Sequence, residues 1–449
     1  MKQIRKKKHW TSSEIIIYSF MALILSGAFL LMLPISTQDG KGATFLDALF
    51  TATSASCVTG LVVHNTATYW TVFGQFVIMI LIQIGGMGVV TMAIAVTMAT
   101  GRKISLFRRG TMQDAISAHQ VGGIVRMTGF ILKTSRAIEL LGAVSLSFVF
   151  IPQFGLIKGI WYSVFHSVSA FCNAGFDLLG TDVPYCSLVD YSNNSIVNFT
   201  IMSLIVIGGL SFSTWADFSE HKFKFKKYRV QSKIVLVATA LLIALPALFF
   251  YIFEYSNPAY GDISTKERVL SSLFQSVTTR TAGFNTTDLT LFSESGIMIM
   301  IMLMIIGGAP GSTAGGMKNT TFTVLFLNAI ATFRRNPDAH CFGRRIESSA
   351  VKDAATVATM YIVMFITGGI IISMVEGLPL LSCLFETASA IGTVGLTVGI
   401  TTSLSTISRI ILIWLMYLGR VGGLTIIFAT VKGIHNGNGR FPREKITIG

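Results

Sequence analysis

Charge is scarce in this chain. Only 12% of its 449 residues are Asp, Glu, Lys or Arg, where a soluble domain carries about 25%. With 52% hydrophobic residues and a mean hydropathy of +0.66, this excludes a disordered chain and most soluble enzymes. The net charge of +14 does not indicate a nucleic-acid partner, because the basic residues sit in blocks between apolar stretches. Such blocks are typical of the cytoplasmic loops of membrane proteins. Cysteine is also sparse. Cys57, Cys172, Cys186, Cys341 and Cys383 are odd in number and lack a CxxC pair, so neither a disulfide framework nor a zinc site is indicated. The seven histidines form no HExxH pattern. No titratable constellation recurs, so nothing points to an enzyme.

Long apolar runs are what the chain has instead. A membrane helix needs about 20 apolar residues. Runs at 13–34, 72–100, 137–152 (with a less apolar approach from 127), 196–216, 234–253, 355–375 and 407–431 fit this. An eighth is interrupted: 296–306 and 321–332 flank a glycine-rich insert. The first run follows a basic start but is too long for a signal-peptide core of about 7–15 residues and has no A-x-A site, so it reads as an uncleaved span. The N-terminus and segments 101–136, 219–233, 331–352 and 431–449 together hold 27 of the 35 Lys and Arg residues. The positive-inside rule then puts both termini in the cytoplasm and gives an even number of spans. The expectation is an all-α integral membrane protein with eight transmembrane helices.

Internal repetition organises these runs. "LFTATSASCVTGLVV" (49–63), "VFHSVSAFCNAGFDL" (164–178), "LFQSVTTRTAGFNT" (273–286) and "LFETASAIGTVGLTV" (384–398) share an apolar-Phe pair, a Ser/Thr/Ala stretch and a glycine. The glycines Gly60, Gly175, Gly283 and Gly395 are spaced 115, 108 and 112 residues apart, and the third copy is one residue shorter. A second motif follows: "QIGGMG" (83–88), "VIGGLS" (206–211), "IIGGAPG" (305–311) and "YLGRVGG" (417–423). The unit is span, short segment, span. This divides the chain into repeats at 1–125, 126–230, 231–350 and 351–449, the last with a C-terminal tail.

The helix-competent part of each short segment is about 18 Å long and cannot cross about 30 Å of hydrocarbon. With long spans on both sides it must enter and return, as a re-entrant pore helix. Backbone at that depth is tolerated only when buried or lining water. A helix C-terminus aimed inward favours a cation, and a glycine lets the backbone turn its carbonyls to an axis. Four such loops give a pseudo-fourfold central pore ringed by carbonyls, the arrangement that replaces the hydration shell of K+ in K+ channels. Packing glycines, common in membrane helices, are the rival explanation for one copy but a poor one for four at equivalent places.

VTGL, NAGFD, TAGFN and TVGL, in that order, make the whole chain resemble the Trk/Ktr/HKT superfamily of K+ transporters, most closely the membrane subunits of bacterial Ktr systems. The resemblance implies a K+-binding selectivity filter at Val58, Thr59 and Gly60; Asn173, Ala174 and Gly175; Thr281, Ala282 and Gly283; and Thr393, Val394 and Gly395. It also implies K+ preference, a homodimer and a cytosolic KtrA-like ring that binds ATP or ADP. This chain itself is expected to hold no cofactor.

The insert Gly307, Gly308, Ala309, Pro310, Gly311, Ser312, Thr313, Ala314, Gly315, Gly316 departs from the Walker-A pattern, since Met317 and Lys318 follow its last glycine. It is too long for a kink and reads as an unwound loop lining the pore below the filter. By resemblance it is the gate. Arg420 takes the place that Gly86 has in the first copy. An intramembrane arginine is costly unless it faces the interior or water, which leaves a backbone pairing, a barrier charge, or both. Arg280 is expected to pair with Glu386 or Asp288, and Lys318 to snorkel. Asp177 and Asp288 are either cation-attracting acids at the mouth or solvated loop acids, and the stripe 298–304 faces lipid or core. A Na+- or H+-coupled symporter remains the rival reading. It requires a buried ionisable pair, and only Arg420 stands out.

Overall fold

The computed structural model describes residues 11–99, 123–181, 183–261 and 263–423, with isolated positions at 110, 111, 113, 425 and 444. The N-terminal basic block, most of segment 101–126 and nearly all of 424–449 therefore lie outside the described residues. The first quarter comprises α1 (Ser12–Leu31), α2 (Phe45–Ser56), α3 (Val72–Met87) and α4 (Val89–Ala99). Next come α5 (Ile124–Phe154), α6 (Leu156–Phe171), α7 (Ser195–Gly209) and α8 (Phe212–His221). The third quarter comprises α9 (Val230–Phe249, continued by a π-turn to Glu254), α10 (Thr265–Thr278), α11 (Glu294–Ile305) and α12 (Asn319–Phe333). A hairpin of β1 (His340–Cys341) and β2 (Arg344–Arg345) precedes α13 (Ser348–Glu376), α14 (Leu380–Gly392) and α15 (Thr406–Val421).

The first apolar run of each quarter forms one long helix. Among the described residues α1, α5, α9 and α13 are long and apolar enough to cross a membrane, and the bent pair α7–α8 makes a fifth candidate. The second run of the third quarter is interrupted as expected, between α11 and α12, and those of the other three quarters depart from expectation. Only the third was expected to be interrupted, yet 72–100 breaks at Gly88, 196–216 bends by 97° between α7 and α8, and the last run breaks at Gly422. Gly88 and Gly422 have φ of +86° and +89°, a conformation that a helix cannot contain. Ser211 caps α8 by accepting from the Ser213 N–H at 3.3 Å, which restarts the chain in a new direction.

Burial is distributed inside out. The long helices expose large apolar side chains: Phe148 is 72% exposed, Leu141 69% and Met374 79%. The hydroxyl-rich short helices α2, α6, α10 and α14 lie in the interior, with nearly every residue of their last two turns buried. An apolar perimeter of this extent needs lipid around it. Several buried hydroxyls in the short helices bond back one turn: Thr53 donates to the Leu49 carbonyl at 2.7 Å, Ser163 to Gly159 at 2.7 Å and Ser272 to Arg268 at 2.6 Å. This satisfies them without partners from outside the helix.

Candidate ion pathway

The segments after the four short helices close a ring. A Cβ built on Gly60 would lie 2.6 Å from the Ala174 carbonyl oxygen, on Gly175 2.7 Å from that of Ala282, and on Gly283 2.5 Å from that of Val394; on Gly395 it would strike the Thr59 oxygen. The order runs through the four segments and returns to the first, so each glycine packs against its neighbour's backbone. All four have φ between +69° and +95°, open to glycine without penalty. Val58, Asn173, Thr281 and Thr393, two residues earlier, are also left-handed, at +53°, +59°, +69° and +50°. That costs a non-glycine residue about 1–3 kcal/mol, so the surroundings must impose it. Alternating handedness turns successive carbonyls to one side, unlike a strand. All twelve residues of the four triplets are buried.

Two ties fix each turn. The N–H groups of Thr59, Ala174 and Val394 donate to the carbonyls of Ser54, Ser169 and Ser389, five residues back, at 2.8 Å. In the shorter third copy Ala282 donates four residues back, to Thr278, at 3.0 Å. The same hydroxyl residues supply the second tie. Ser54 and Ser389 accept from the N–H of Gly60 and Gly395 at 3.1 and 3.0 Å. Ser169 donates to the Phe176 carbonyl at 2.7 Å, and Thr278 to that of Phe284. The sequence reading singled out none of these four, although their fixed place in the repeat could have identified them.

The second motif packs against the ring's supports. A Cβ on Gly85, Gly208 or Gly419 would strike the carbonyl oxygen of Ser56, Phe171 or Ile391, each four residues before a ring glycine. The insert 307–318 lies directly below: a Cβ on Gly315 would strike the Thr393 hydroxyl, and one on Gly316 would lie 2.8 Å from the Gly392 carbonyl oxygen. Its anchors come from several helices. Ala309 and Thr313 donate to the carbonyls of Gly209 and Gly208 at 3.0 and 3.1 Å, Gly316 to Gly419 at 3.1 Å, and Phe212 to Gly311 at 2.7 Å. Ser312 donates to the Ala309 carbonyl at 2.7 Å and the Thr313 hydroxyl to that of Phe171 at 3.0 Å. The Arg420 guanidinium donates to the carbonyls of Thr313, Gly85 and Gly86. Below the insert a cavity of about 770 Å³ is lined by Phe20, Met87, Gly311, Lys318, Tyr361 and Arg420, among others.

Two expectations change. Lys318 does not snorkel: its Nζ folds back on the Ala314 carbonyl oxygen at 2.8 Å, because that carbonyl is freed where the helix is unwound. Arg280 pairs with neither proposed acid. Glu386 accepts from the hydroxyls of Thr397 and Thr401, Asp288 caps a turn by accepting from Thr290 N–H at 2.9 Å, and the Arg280 Nε is buried without a partner. Asp177 caps its own turn through the Leu179 N–H at 3.1 Å. Among residues not anticipated, Glu139 of α5 stands out: its carboxylate accepts from Gln83 Nε2 at 2.9 Å within a long apolar helix.

Residues 5–438 match the family described as "TrkH: Cation transport protein". The chain is 40% identical over 451 residues to the "Potassium/sodium uptake protein NtpJ" of Enterococcus hirae, covering 99% of each chain. It is 38% identical over 448 residues to the "Ktr system potassium uptake protein B" of Bacillus subtilis, covering 100% of this chain and 99% of that one. The crystal structure of the potassium transporter TrkH from Vibrio parahaemolyticus superposes with a TM-score of 0.74 at 18% identity, over 96% of this chain and 87% of that one, a likeness of fold. With its apolar perimeter and spanning helices, this chain is a multi-pass membrane protein that belongs to the TrkH family of cation transport proteins.

Proposed function

We propose that this chain is the ion-conducting subunit of a K+ uptake system. The twelve ring residues act as its selectivity filter, and 307–318 with Arg420 as its intramembrane gate. The observation that carries the reading is the closed ring of four left-handed glycines, each packed on the next segment's backbone. Carbonyls held in such a ring can replace water around a cation the size of K+. The loop and the Arg420 charge lie across the path below. In this reading the chain is four repeats with eight passages of the membrane, and both termini and the basic segments are cytoplasmic. The names of the Ktr relatives support a multi-component system; in this reading a homodimer of this chain sits on a cytosolic KtrA-like ring that binds ATP or ADP.

The test is flux through the purified protein in liposomes, with K+ and Na+ supplied separately. Saturable K+ flux that exceeds Na+ flux is expected, and equal flux of both ions would overturn the filter assignment. One observation favours a second reading, Na+- or H+-coupled uptake. Glu139 provides an acid within a spanning helix, where ionisable groups mark ion or proton paths, and one relative is named for both potassium and sodium.

A further inference from the structure

One column of the repeat differs in every copy. Thr51, His166, Gln275 and Glu386 each directly follow the buried phenylalanine of a short helix. His166 and Glu386 are wholly buried, and both reach the chain that leaves the ring. His166 Nδ1 lies 2.7 Å from the Tyr162 carbonyl oxygen, so this nitrogen carries the proton. Nε2 is then the acceptor for the Leu178 N–H, at 3.3 Å, three residues past Gly175. The Glu386 carboxylate accepts from the hydroxyl of Thr397, two residues past Gly395, and from that of Thr401 at 2.8 Å. The two hydroxyls are themselves 3.0 Å apart. Gln275 turns elsewhere, with Nε2 2.9 Å from the Met300 sulfur in α11. In ring order the second and fourth segments face each other. The ring therefore has two opposed braces and a twofold support behind its fourfold backbone.

We propose that His166 and Glu386 are positioning residues for cation discrimination, each holding one exit strand so that the ring keeps the spacing K+ requires. The inference rests on the reading of the ring as a K+ filter. A donor or hydroxyl left unpartnered in this buried shell must find another acceptor, and the strand carrying it shifts to do so. Sites of this kind lose precision when the residues behind them are loosened. The Ser54, Ser169, Thr278 and Ser389 ties would still hold the turn, so a loosened ring should conduct with poorer discrimination and the protein should still fold.

The experiment measures K+ and Na+ flux in liposomes, with thermal stability in detergent measured alongside. Glu386→Leu and Thr397→Val remove the bond that holds the fourth exit strand, and His166→Leu that of the second. Each is expected to lower the K+/Na+ flux ratio, by about tenfold for Glu386→Leu, which removes the acceptor that two hydroxyls share. His166→Gln, which borrows the residue of the third repeat, and Glu386→Gln each keep an acceptor and should recover most of the ratio. If Glu386→Leu does not fold, the near-isosteric Thr397→Val carries the test. Folded brace-removing variants with a wild-type ratio would overturn the proposal. If the wild-type protein itself fails to prefer K+, the filter reading fails instead, and that result is visible before any variant is made.

Discussion

Arg420 in α15 donates to the carbonyl oxygen of Thr313, at the middle of the insert beneath the ring. The same guanidinium bonds the carbonyls of Gly85 and Gly86 at the end of α3. One side chain therefore ties the loop to the break in a different part of the bundle. Among the described residues no acid pairs with it, and its hydrogen-bond partners are backbone carbonyls.

Removing it should free the loop. Arg420→Ala is expected to raise basal K+ flux by roughly fivefold or more, the factor that about 1 kcal/mol of lost anchoring gives. Arg420→Lys keeps the charge but cannot reach three carbonyls at once and should fall between. Liposome flux at matched protein density checks this. Unchanged flux in a folded Arg420→Ala protein would leave the residue a purely structural tie.

The ring makes a sharper demand at Gly60, where φ is +93° and a Cβ would lie 2.6 Å from the Ala174 carbonyl oxygen. Gly60→Ser must displace one segment or the other, and the carbonyls move with it. The K+/Na+ flux ratio should drop while expression persists, because the Ser54 tie to this backbone remains. An unaltered ratio in well-expressed protein would remove Gly60 from the filter.

Much of this arrangement was legible in the sequence because repetition multiplies weak signals. One glycine after Ser/Thr-rich residues means little, but Gly60, Gly175, Gly283 and Gly395 at nearly equal spacing locate the ring. The missing residue of the third copy reappears as a four-residue hydrogen bond from Ala282 where the others span five. Hydropathy could not show the breaks at Gly88 and Gly422, since apolar residues continue on both sides and the break is a matter of φ. Nor could it show that Glu139 meets Gln83, or that Arg280 lacks the partners its position suggested. Those depend on how helices far apart in sequence pack.

Glu139 allows the coupled reading to be tested directly. If its carboxylate carries a coupling ion or proton, Glu139→Gln should abolish the dependence of K+ flux on an opposing Na+ or pH gradient. The hydrogen bond with Gln83 can be kept by the amide oxygen, so folding should survive. Flux that ignores both gradients in the wild-type protein, or a Glu139→Gln variant that still responds to them, would return Glu139 to a structural role.

The loop itself gives the final prediction. Ala309 and Thr313 bond α7, Phe212 of α8 bonds Gly311, and Gly316 and Arg420 bind the loop to α15, so several helices are tied to one non-helical segment. From Asn319 the chain continues as α12 to Phe333, a stiff rod that ends beside the β1–β2 hairpin. There Phe342 lies 6.1 Å from Phe225, and the Lys233 ammonium sits 5.9 Å from both rings. If a cytosolic partner docks on this basic surface, as proposed, α12 is the rigid element that would link it to the loop. A ligand on that partner can work the gate only by favouring one loop conformation over another. Deleting 309–316 removes these anchors together, and should raise basal flux and abolish the partner's control in the same protein. Flux recorded from liposomes with and without the partner ring separates the outcomes. A deletion that stays closed, or one that conducts and still answers to the partner, would make 307–318 a structural insert and require the gate to lie elsewhere.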